Sequence, residues 1–200
     1  MLFRSPEITG EKVSYITIRG GTSGSGSQKV RFLGYARTKR VDGYSSPTYA
    51  MVVGQIARIA AGSIAEVMAG HPMTAGWSDD LSKIRALAKS AIIKFGFDSR
   101  FYGIQIDQQT GNPILSEAKT RQLEDAMSKL IQQGMELAKN TLTTNWSYVI
   151  LVATELMKKG EIDGQRFTEL GKFATQQSQS VPVVTPSIKS LMCMGFYGRK

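Results

Sequence analysis

The longest helical pattern in the chain runs from Ser116 to about Thr143. Leu123, Met127, Leu130, Ile131, Leu137, Ala138 and Leu142 recur there at helical spacing. One stripe of that length cannot stay in water, so the chain must supply partner helices to cover it. It does so on both sides. From Thr48, residues Val52, Ile56, Ile59, Ala60, Ile64, Val67 and Met68 keep one face, with Pro47 in the first turn and Ser45 or Ser46 as cap. Gly54, Ala57, Ala60, Ala61, Gly62 and Ala65 crowd the same stretch and let another helix come close.

A helix beginning at Ser78 carries Leu81, Ile84, Leu87, Ala88, Ala91 and Ile92, and Gly96 marks its end. Residues 98–115 read as irregular, with a turn at "QQTGNP". Asn145 opens a further helix with Trp146, Val149, Ile150, Ala153 and Leu156 inward, stopped at Gly160. Asp163 begins a short last one. Ahead of all these, "KVSYITI" (12–18) and "KVRFLGYA" (29–36) read as two strands joined by "RGGTSGSGSQ". That loop lacks the lysine and the following helix of a phosphate loop. The predicted fold is mainly α: a bundle of about five helices over 48–173, a small N-terminal β-hairpin within 12–37, and a basic flexible tail over 174–200.

Composition narrows the function. With 42% apolar residues the chain can bury a core. The longest apolar runs fall short of a membrane span, and "MLFRSPEITG" is not a secretory signal. The single Cys193 excludes an internal disulfide, and with His71 as the only histidine no complete Cys/His zinc site exists in the sequence. The net charge of +9 gathers at the ends, +5 over residues 1–47 and +3 over 174–200. Such ends suit nucleic acid, anionic lipid or an acidic partner. The plainer reading is a solvated surface, because aromatic residues do not alternate with the charges along the sequence; nucleic acid is not expected.

"GWSDDLSKI" (76–84) sets Asp79 and Asp80 where a helix begins. Carboxylates there are favoured by the helix dipole and the free backbone N–H groups, which accounts for one of them or for both; a metal ligand is the alternative.

Five stretches together resemble the peptidase domain of the FtsH-type ATP-dependent zinc metalloproteases. They are "VSYITIRGG", "RIAAGSIAEVMAG", "TAGWSDDLSKIRALAKSAIIKFGF", "LSEAKTRQLEDAMSKLIQQGMELAKNTLTTN" and "ELMKKGEIDGQRFTEL", in the family's order from about residue 12 to 172. The resemblance implies that the 1–173 region is a partial peptidase domain acting on unfolded proteins. In that family two histidines of an HExxH helix and the aspartate of the G-x-x-x-D-L segment hold zinc, and the glutamate of HExxH activates the metal-bound water. Asp80, followed by Leu81, stands at the position of the third ligand; Asp79 stands at a variable one. His71 has no counterpart among the ligands.

The chain departs from the family at several points. HExxH is absent. Gly62-Ser63-Ile64-Ala65-Glu66-Val67 replaces Gly-Arg-Ala-Ala-Glu-Glu, and Trp77 is bulky beside Asp80. The family's spacing from the second histidine to the end of its V-T-I strand equals the span from Met1 to Ile18. One expectation is therefore that HExxH lies just before Met1 in a longer protein, with these residues forming the C-terminal part of the zinc domain. The other is a pseudo-peptidase scaffold or adaptor that has lost the metal. Ring-shaped homo-oligomers, a cytoplasmic or organelle-matrix location, and ATP and a membrane anchor supplied only by segments outside these 200 residues complete what the resemblance implies.

Overall fold

The computed structural model describes residues 11–23, 30–32, 34–40, 46–72 and 74–178. Among them the chain is mainly α, with five helices: α1 (Tyr49–Met68), α2 (Ser78–Ile93), α3 (Glu117–Thr144), α4 (Trp146–Lys159) and α5 (Gly164–Ser178). Five short strands, β1 (Glu11–Thr17), β2 (Gly21–Ser23), β3 (Val30–Phe32), β4 (Tyr35–Arg40) and β5 (Glu161–Asp163), accompany them. The described residues within Tyr44–Thr141 form one compact unit, and those within Gly10–Gly43 and Leu142–Lys200 form another.

In the first unit, the small-residue face of α1 does what the sequence predicts. Val52, Ile56 and Ala60 of α1 pack with Ile84, Ala88 and Ala91 of α2 and with Leu130 of α3, and six of these seven are fully buried. Ile92, Phe101, Leu123 and Ala126 form a second cluster. At Gly134 the backbone of α3 lies so close to α1 that a Cβ there would meet Ile56 Cγ2 at 2.4 Å. By length and composition α1 is also the one helix among the described residues able to cross a membrane. In the structure its Val52, Ile56, Ala57 and Ala60 are fully buried, while Tyr49 and Val67 are exposed.

Local chemistry sets the helix ends. Thr48, not Ser45 or Ser46, caps α1: its Oγ1 accepts from the Met51 N–H at 3.2 Å, which leaves Pro47 just outside the helix. Ser116 Oγ accepts from the Lys119 N–H at the start of α3. Gly96 (φ +70°) follows α2, and the Phe97 N–H donates to the Ala91 carbonyl. Between α2 and α3, Asp107 Oδ1 accepts from the Gln109 and Thr110 N–H groups, and a single bridge pairs Ile106 with Pro113.

In the second unit, Gly160 ends α4 in the left-handed region (φ +78°) and Asp163 Oδ1 caps α5 through the Arg166 N–H at 2.7 Å. The three residues from Glu161 to the cap Asp163 form β5, which adds to β1 to give the antiparallel order β4-β1-β5. The sequence gives no sign of β5, since three residues are too few to show a period of two. The second predicted strand is also two strands. β3 pairs with β2 and β4 pairs with β1. Gly34 stands between them, where a Cβ would lie 2.5 Å from the Thr17 carbonyl oxygen. Val13, Ile16 and Ile162 of the sheet pack on Tyr148, Val152, Leu156, Phe167 and Leu170 of α4 and α5. The predicted tail starts at 174, whereas α5 continues to Ser178; residues 179–200 lie outside the described residues.

Candidate metal-ligand segment

A 3₁₀ turn, Ala75–Trp77, leads into α2 and puts Asp79 and Asp80 in its first turn. Neither carboxylate stands at the cap position, which is Trp77, and Trp77 makes no capping side-chain bond. Both aspartates instead face Lys83. Its Nζ lies 2.6 Å from Asp79 Oδ2 and 3.3 Å from Asp80 Oδ1. The hydrogen bonds to Asp79 and then to Asp80 raise the Lys83 ammonium above its ordinary range, so it stays charged throughout physiological pH. Exposed to solvent, such pairs contribute little to stability. The side chain of Asp79 is 78% exposed and that of Asp80 39%, so Asp80 is the more sheltered. Trp77 packs against the core cluster of the first unit, which gives the ring a structural role of its own.

These residues do not by themselves fit a zinc ion. A catalytic site takes three protein ligands and an open position. Among the described residues no three His, Cys, Asp or Glu side chains gather closely enough to hold a metal. His71 is exposed in the turn after α1, where its backbone N–H donates to the Glu66 carbonyl. Asp80 offers one hard oxygen ligand at a rigid helix start, already shared with a lysine. Sequence reasoning placed Asp80 at the helix start but did not anticipate Lys83, although its spacing of three and four residues from the aspartates is the ordinary signal for such a pair.

The comparisons bear on the same segment. A sequence model of peptidase family M41 matches residues 30–170. The ATP-dependent zinc metalloprotease FtsH of Lancefieldella parvula is 25% identical over 167 residues, covering 80% of this chain and 25% of that protein. The ATP-dependent zinc metalloprotease FTSH 5, chloroplastic, of Arabidopsis thaliana is 24% identical over 128 residues, covering 58% of this chain and 18% of the relative. The ATP-dependent zinc metalloprotease FtsH 1 of Conexibacter woesei is 22% identical over 155 residues, covering 72% and 24%. The chain thus spans about a quarter or less of the length of these relatives.

Proposed function

The chain belongs to peptidase family M41, and on that premise we propose that it is the C-terminal part of a zinc endopeptidase domain in an ATP-dependent protease that hydrolyses unfolded proteins. Asp80 is the metal ligand this chain contributes. The observation that carries the reading is the match over residues 30–170, within which Asp80 and Leu81 begin a helix that packs into the core. The relatives are named as ATP-dependent zinc metalloproteases, which supports zinc and ATP dependence. Two further ligands must come from residues other than those described, and ATP from another module. Assembly as a homo-oligomeric ring, on the cytoplasmic or matrix side of a membrane, belongs to the same proposal.

A second reading has its own support. The lysine shared by Asp79 and Asp80 and the Gly62–Val67 stretch without the family's arginine suit a pseudo-peptidase scaffold.

One chimera separates the two. A segment carrying the family's HExxH helix is joined ahead of Met1, and cleavage of unfolded casein is followed with and without a chelator. The expected result is chelator-sensitive cleavage that Asp80→Ala abolishes and Asp79→Ala leaves nearly intact. Cleavage surviving Asp80→Ala removes Asp80 from the metal site. A folded chimera that takes up no zinc and cleaves nothing favours the scaffold.

A further inference from the structure

The three-stranded sheet has two unlike faces. One carries Val13, Ile16 and Ile162 into the core of the second unit. On the other, the register sets Lys12 opposite Lys39, Tyr15 opposite Arg37 and Thr17 opposite Tyr35. Residues directly opposite in an antiparallel pair share a face and stand close together. Lys12, Tyr35, Arg37 and Lys39 are all exposed. Two lysines facing each other destabilise a strand pair, and neither has an ion-pair partner among the described residues.

The acidic groups of the same face lie at its other edge and are engaged. Glu161 sits 3.6 Å from the Arg19 guanidinium and accepts the Tyr15 hydroxyl proton at 2.5 Å. Asp163 caps α5. Cations concentrated on the outer strand β4 and its neighbour, with two lysines at opposite register positions, call for an anionic partner.

We propose that this face docks a carboxylate-rich, extended protein segment, with its acidic side chains on Lys12, Arg37 and Lys39. Arg37 and Lys39 stand two residues apart on β4, about 7 Å along the strand. An extended chain with acids at alternate positions repeats at the same interval. Nucleic acid fits less well. The Arg37 guanidinium already lies over the Tyr35 ring, 5.9 Å from its centroid, and Tyr15 lies 5.9 Å from Tyr35, so the rings are occupied by neighbours that a stacked base would have to displace. A long phosphate backbone would also run on toward Glu161 and Asp163, whereas a short acidic segment ends before them.

The test uses fluorescein-labelled hexaglutamate and the 200-residue chain, followed by fluorescence anisotropy at low and high ionic strength. Saturable binding that falls with salt is expected. The pair Arg37→Glu and Lys39→Glu is expected to weaken it about tenfold or more. Arg37→Gln with Lys39→Gln should weaken it in the same direction, and circular dichroism shows that both variants keep their helices. Lys158→Glu, an exposed cation on α4, should leave binding unchanged. No saturable binding overturns the proposal, as does an equal loss with Lys158→Glu. Tighter binding of a labelled oligothymidylate of matched charge overturns it in favour of a nucleic-acid face.

Discussion

Gly134→Val is expected to lower the stability of the chain by about 2–3 kcal/mol. A Cβ at this position of α3 would lie 2.4 Å from Ile56 Cγ2, 2.7 Å from Ile56 Cβ and 3.3 Å from the Ala57 nitrogen. Ile56 is fully buried and its neighbours Val52, Ala60 and Ile84 are too, so the isoleucine has nowhere to move. The helices must separate or Ile56 must leave its rotamer, and a closely packed core resists both. Glycine inside a helix costs about 1 kcal/mol relative to alanine. That cost is offset here by the close approach of α1 and α3, and valine recovers little of it because of its branched Cβ. Urea unfolding of parent and variant measures the difference. A variant as stable as the parent would mean that α1 and α3 do not meet at Gly134.

The second large effect is a loss of stability at alkaline pH, centred on Tyr148. Its side chain is 5% exposed, its hydroxyl donates to the Phe167 carbonyl, and its ring centroid lies 5.5 Å from that of Phe167. Burial holds the hydroxyl well above the ordinary tyrosine range, and a hydrogen bond with the Gly171 backbone reduces that shift only in part. In the unfolded chain the same group ionises near pH 10, about the model-peptide value. Above that pH the unfolded state has lost a proton that the native state retains, so stability falls with rising pH, by about 1.4 kcal/mol per unit. Below it Tyr148 contributes no slope. Tyr148→Phe should remove this part of the alkaline slope and cost about 0.5–1.5 kcal/mol at neutral pH through the lost hydrogen bond to the Phe167 carbonyl. A series of urea unfoldings from about pH 9 to about pH 12 reads both effects. An unchanged slope in the variant would place the alkaline sensitivity elsewhere.

The helices were readable because their signals are local. Gly96, Ser116, Gly160 and Asp163 act at the ends where the sequence puts them, and the α1 stripe of Val52, Ile56 and Ala60 is buried as its spacing requires. What escaped depends on pairing between distant residues. β5 exists because β1 is there to bond it, and the break at Gly34 follows from the approach of Thr17. Alternation along β4 already sets Tyr35 on one face with Arg37 and Lys39, but only the β1–β4 register adds Lys12 and Tyr15 to that face. The candidate metal segment was legible only in part. The position of Asp80 at a helix start follows from periodicity, whereas its ligand role rests on resemblance, since one carboxylate carries no signature of the metal it would hold.

If Asp80 is, as proposed, the one zinc ligand within these 200 residues, they cannot hold the metal unaided. Equilibrium dialysis of the pure 200-residue chain against Zn²⁺, paired with a casein-cleavage assay, tests this directly. No tightly held zinc and no chelator-sensitive cleavage are expected. One tightly bound zinc per chain, with cleavage that a chelator stops, would contradict it.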